Sequence, residues 1–343
     1  MSYQRGMQAI NLEMPDRIPH TEYLSHRQYI IKITGIDPED KASGGKAGPA
    51  LAKALDYDFI WSVYGRNWGI PTCSMGRAKY YETETPYESR YPFKTEEEVL
   101  SLDPVKVAKL PTMEELTAEV RQSYENGCRN YPDAVFPGGF YQTVFTWPIQ
   151  TFGWELFMAA AMADEQRFDR VLEGFTQISM MVVEAHIRAK VPIFLCHDDI
   201  VWAAGPVFSP AWMRRHVFPR HKRLWTPLRE AGIKVLFCSD GNFDAFVDDL
   251  AEAGAQGFIL EPLTDLKYIA EKYGKTHVII GNIDSRILQF GTHDEIRAEV
   301  RRCADLGRNC PGYFFAVGNH IPYTVPIPSV ECYLEAIKEY GRR

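Results

Sequence analysis

Nowhere in this chain of 343 residues do about 18 apolar residues run consecutively, the length a helix needs to cross a bilayer. The first twenty residues, MSYQRGMQAINLEMPDRIPH, also lack the apolar core of a signal peptide, so a cytoplasmic protein with no membrane partner is expected. Basic residues are in deficit: 38 Lys and Arg against 45 Asp and Glu leave a formal charge of −7. A nucleic-acid surface needs a clustered excess of cations, and this balance argues against one. The seven cysteines (73, 128, 196, 238, 303, 310, 332) are odd in number and form no CxxC pair, so free thiols are expected rather than a disulfide framework or zinc ribbon. No GxGxxG or P-loop pattern is present, which removes support for nucleotide binding. What the chain does have is 45% hydrophobic residues, enough to bury a large core as one barrel or two smaller domains. A small molecule or another protein is the expected partner.

Residues 1–133 read as an irregular part rich in Pro, Gly and aromatics, with strands expected at RIPHTEYL (17–24) and YDFIWSVYG (57–65). From Ala134 onward the pattern is regular. AVFPGGFYQ is followed by helical spacing from Trp154 to Lys190. Five strand–helix units then follow, their strands at 191–199, 233–242, 257–262, 277–284 and 312–320. Continuous apolar strands alternating with amphipathic helices imply a parallel sheet covered on both faces. Five such units, with at least three more strands before them, favour a single α/β domain over 1–343. The expected fold is a closed (β/α)8 barrel whose irregular N-terminal extension partly covers the mouth.

Each of the five strands ends in polar residues, as KVLFCSDGN (234–242) does. In a parallel barrel those ends converge on one mouth, where barrel enzymes carry out their chemistry. Capping of the following helices is the competing explanation for any one of them, Asp240 before FDAFVDDL included.

The run CHDDIVWAAGPVFSPAWMRRHVFPRHKRLWTPLREAGIKVLFCSDGN, with GFILEP, VIIGNID and the earlier TFGWELFMAAAMADEQRFDRVLEGF, resembles the uroporphyrinogen decarboxylase superfamily, which includes cobalamin-dependent methyltransferases. The resemblance covers roughly Phe136 to Tyr340. Decarboxylases of this superfamily bind a polyanionic tetrapyrrole through an arginine-rich stretch near the N-terminus; the matching PDRIPHTEYLSHRQY holds only Arg17 and Arg27, with Glu22 between them. The thiol-activating methyltransferases carry a zinc-binding His-x-Cys pair and a later Cys, and the matching positions here are Cys238, Asp240 and Asn319. That donor set is harder, and zinc, if held, is expected on Cys238, Asp240 and Glu261. The resemblance therefore implies a demethylating methyltransferase. It would move a methyl group from a small methylated compound, an aromatic methyl ether above all, to cob(I)alamin on a separate corrinoid protein. It also implies a homodimer. A cofactor-independent decarboxylase is the runner-up, and a metal-dependent barrel hydrolase could use the same acidic mouth.

Expulsion of a phenolate requires an acid, and a carboxyl among other carboxylates can keep its proton near neutral pH. Asp198, Asp199, Asp240, Glu261 and Asp284 form the expected cluster, with Asp240 and Glu261 nearest the reacting oxygen and Asp199 as a second acid or hydrogen bonder. His197 suits a structural or a catalytic role equally. Asn282 and Asp284 in GNID are expected to orient the ligand, and Asn319 and His320 to close the barrel, His320 as a general acid. Tyr141 and Trp202 are candidates to contact a flat substrate; like Tyr64, Trp68, Phe140 and Trp147, they would also suit an ordinary core.

Overall fold

The computed structural model describes residues 2–73 and 91–343. Its strands are β1 (Gly138–Phe140), β2 (Ile193–His197), β3 (Val201–Trp202), β4 (Gly205–Pro206), β5 (Lys234–Cys238), β6 (Gly257–Ile259), β7 (Val278–Ile280) and β8 (Tyr313–Phe314). Six of them form one parallel sheet in the order β1-β2-β5-β6-β7-β8, while β3 and β4 make a small antiparallel hairpin. The named strands are shorter than the stretches that announce them, and isolated bridges such as Ile283 to Val317 carry the pairing further toward the mouth.

Alternate residues of these strands face opposite ways. Leu195, Leu236, Cys238, Ile259, Val278, Ile280 and Phe314 pack together inside the ring. Phe194, Cys196, Val235, Phe237, Phe258, Ile279 and Tyr313 face outward and pack in one layer with the helices. A strand buried on both sides needs apolar residues at every position, which is why these runs are continuous.

The N-terminal third completes the ring. Phe315 donates its amide to the Pro19 carbonyl at 2.8 Å and accepts from Thr21 at 3.0 Å, a parallel bridge centred on His20. Asp58 donates to the His20 carbonyl at 2.8 Å; Val135 and Ile60 then exchange bonds with Asp58 and Val135 at 3.0 and 2.9 Å. Tyr64 joins Gly139 at 2.8 Å. Segments near 17–24 and 57–65 thus stand between β8 and β1, giving eight parallel positions around the barrel. The N-terminal helix Ser2–Ile10 behaves differently from the expected mouth cover: Met7, Ala9, Ile10 and Leu12 pack into the inner cluster with Phe59, Val135 and Val278, near the strand starts. It seals the end opposite the mouth.

The helical stretch from Trp154 divides in two, Trp154–Ala163 and Glu165–Ala189. Asp164 causes the break, since its carboxylate accepts the Arg167 amide at 2.9 Å as an N-cap. Lys190, left-handed at φ 58°, ends the second helix and turns the chain into β2. Among the described residues no helix is long and apolar enough to cross a membrane.

Candidate active site

The two-residue alternation that lines the barrel continues past the strand ends. Leu195 points inward, so His197 and Asp199 do too; Cys238 is followed by Asp240, and Ile259 by Glu261. Asp199 is the hub. One of its oxygens accepts from His197 Nε2 at 3.1 Å and from the Asp240 amide at 2.9 Å, and the other accepts the Tyr141 hydroxyl at 3.2 Å. The Tyr141 ring stands edge-on to His197 at 4.3 Å. Glu261 accepts the Gly241 amide at 2.6 Å on one oxygen and the Asn319 side-chain amide at 2.7 Å on the other. The turn that carries Asp240 is therefore held by a carboxylate on either side.

These contacts give the carboxylates different acid strengths. Burial raises Asp199, but the His197 charge and hydrogen bond outweigh it and hold the carboxyl below its ordinary value. Burial alone would lower His197; the neighbouring Cys238 and Asp199 overcome that and push it well above its ordinary value. Asp240 is reachable from solvent, yet the walls of the mouth desolvate its carboxyl, and the charges of Asp199 and Glu261 add to the effect. It is pushed up to about 7. Two groups with opposite displacements, a carboxylate paired to a histidine and a carboxyl that keeps its proton, lie next to each other.

Not every expected residue joins them. Asp198 alternates outward and is fully buried, where it accepts the Phe145 and Thr146 amides at 2.9 and 2.6 Å and pairs with buried His221 at 2.7 Å. It holds a loop and points away from the mouth. Asp284 caps the helix Ser285–Phe290 and pairs with Arg286 at 2.6 Å; burial would raise its carboxyl, but the pairing keeps it low. Asn282 is buried, donating to the Thr264 carbonyl at 2.8 Å and accepting from Arg302 at 3.2 Å, so it braces the wall. His320 meets the Asn319 side-chain oxygen through Nδ1 at 2.6 Å, and burial lowers it below its ordinary value. Burial thus favours the neutral imidazole, which weighs against the expected general-acid role. Trp202 stands half exposed on the β3–β4 hairpin at the rim, edge-on to Trp154 at 5.2 Å. Trp68, Phe140 and Trp147 pack on one another as core.

The expected zinc set does not assemble. Cys238 lies in the inner core with its thiol pushed up by burial, and both Glu261 oxygens are taken by the protein. Among the described residues, the ligand-type atoms that converge, within 4.8 Å of one another, belong to His197, Asp199 and Asp240. A cation bound there would have to break the His197–Asp199 hydrogen bond and displace a proton from Asp240, so His197, Asp199 and Asp240, and not the expected Cys238 set, are the residues that would hold one.

Two supporting residues leave no signal in the sequence. Thr146 Oγ1 accepts the Asp199 amide at 2.6 Å, and Thr264 Oγ1 donates to the Gly241 carbonyl at 3.1 Å. Neither lies in a motif. Gly241 has a conformational role: its φ of 85° and the Trp202 carbonyl 2.6 Å from where a Cβ would stand explain why the turn needs glycine.

Residues 71–340 match the family model described as Uroporphyrinogen decarboxylase (URO-D). The chain belongs to the uroporphyrinogen decarboxylase family. Among curated members, the uroporphyrinogen decarboxylase of Syntrophotalea carbinolica is 30% identical over 161 residues, 47% of this chain and 45% of that protein. That of Thermus thermophilus is 29% identical over 181 residues, 53% and 51% of the two chains. The chain thus spans about half the length of the curated relatives it matches. A solved methyltransferase from Methanosarcina mazei superposes over 99% of this family member and 98% of its own chain, with a TM-score of 0.69 at 17% identity. At that identity the likeness speaks for the shared barrel.

Proposed function

We propose that this family member is a corrinoid-dependent methyltransferase that demethylates a small methylated compound, with an aromatic methyl ether as donor and cob(I)alamin on a separate corrinoid protein as acceptor. The observation that carries the reading is Asp240, a carboxyl held near pKa 7 at the mouth between Asp199 and Glu261. A phenolate is a poor leaving group unless it is protonated as it departs, and a carboxyl of this strength is suited to supply that proton near neutral pH. The methyl carbon–oxygen bond breaks with its electron pair remaining on oxygen. Oxygen takes the Asp240 proton, and the corrinoid acceptor, when bound, would take the methyl group and supply the electron pair of its new bond. Asp199 and His197 remain an ion pair and keep the Asp240 amide in place. Tyr141 and Trp202 border the mouth with aromatic surface for a flat donor.

The names of the curated relatives favour a second reading, decarboxylation of a polyanionic tetrapyrrole. The two arginines of the N-terminal stretch weigh against it: Arg17 pairs with Asp56 and Asp58, and Arg27 with Asp37 and Glu39. Incubation with reduced corrinoid protein and a panel of methyl ethers, methylamines and methyl thiols, followed by spectroscopy of methylcobalamin, tests the first reading. A parallel reaction with uroporphyrinogen tests the second.

A further inference from the structure

Glu261 looks from sequence like an acid or a metal ligand, but its surroundings point to a different task. A carboxylate only accepts hydrogen bonds, so the Asn319 atom 2.7 Å from Glu261 must be the amide nitrogen. The Asn319 oxygen then faces His320, and the ring nitrogen 2.6 Å from it must donate. The order of donors along Glu261, Asn319 and His320 is thereby set from one end. On its other oxygen the same carboxylate holds the Gly241 amide at 2.6 Å, next to the acid of the mouth.

We propose that Glu261 is a positioning residue: through Asn319 it fixes His320 as the Nδ1–H tautomer, and through Gly241 it fixes the turn that carries Asp240. One side chain thus presents a carboxyl donor at the end of β5 and an imidazole with its lone pair on Nε2 after β8. The bearing of this on methyl transfer rests on the function proposed for the mouth; the tautomer itself does not.

The test is nuclear magnetic resonance of protein labelled with 15N-histidine, together with hydrogen exchange of the 239–246 segment, both without methyl donor or corrinoid. The His320 signals are assigned by their loss in His320→Gln. In the wild-type protein Nδ1 should carry the proton. Glu261→Gln offers one acceptor and one donor: the acceptor keeps Gly241, and the donor makes the Asn319 amide turn over. His320 should then switch to the Nε2–H tautomer while the Gly241 amide stays protected. Glu261→Ala should lose the protection as well, and Asn319→Ala should release the tautomer. An Nε2–H tautomer in the wild-type protein, or a His320 pattern unmoved by Glu261→Gln and Asn319→Ala, would overturn the proposal. Methyl transfer could fail in every assay and leave this result standing, or succeed while this fails.

Discussion

In the proposed reaction Asp240 is the acid on which turnover depends. Replacing it with Asn keeps the shape and removes the proton, and general acid catalysis is typically worth roughly 10²–10⁴-fold. Turnover of a methyl ether should fall by about that factor with donor affinity little changed, because the lost interaction exists mainly in the transition state. A quaternary ammonium donor, whose leaving group is already stable, should suffer much less. In wild-type protein the rate should hold below pH 7 and decline as the pH rises through the Asp240 value of about 7. Stability provides a second readout. Between the ordinary carboxyl value and about 7 the folded protein holds a proton that the unfolded chain has released, so this residue's contribution grows less favourable as the pH rises. Thermal melts at pH 8 should therefore find Asp240→Asn more stable than wild type. Equal or lower stability of Asp240→Asn at that pH would contradict the raised carboxyl.

At the level of elements, the register between strand ends and turns decides which acids face the mouth. Asp198 and Asp199 are neighbours in sequence with the same side chain, yet one holds a buried loop and the other organises the mouth. Leaving a buried hydrogen-bonding group without its partner typically costs about 1–3 kcal/mol, and Asp198 accepts backbone amides as well as meeting His221. Chemical denaturation of Asp198→Ala should show a loss of about that size, with activity falling only as the fold does. A variant that kept its stability and lost turnover would return Asp198 to the site. The sequence points both acids at the mouth because apolar runs locate strand ends without stating which parity faces inward. The inner set Leu195, Leu236 and Ile259 becomes visible only once the ring is built. Asp284 misleads for a related reason: a polar residue after a strand is also where the next helix needs its cap.

Across the whole molecule, the barrel is readable from the late strand–helix units because a doubly covered strand must be apolar at every position. The first two strand segments are readable in place but not in role. They join by isolated bridges and single bonds, among them His20 to Phe315 and Tyr64 to Phe140, which leave little periodic trace. The sealing helix Ser2–Ile10 escapes a reading of the sequence because a short amphipathic segment carries no sign of which end of a barrel it covers. The acidic mouth is legible as a group of residue types. Its division of labour among Asp199, Asp240 and Glu261 is not, since that depends on hydrogen bonds between segments distant in the chain. The claim joining these levels is that this mouth moves a methyl group from an ether oxygen to a corrinoid. The direct measurement mixes the purified protein, reduced corrinoid protein and an aromatic methyl ether, and follows methylcobalamin and the free phenol. Equal amounts of both products from wild-type protein, with the rate falling by about 10²–10⁴-fold in Asp240→Asn, is the expected result. Absence of methylcobalamin with every ether tried, alongside carbon dioxide release from uroporphyrinogen, would contradict it.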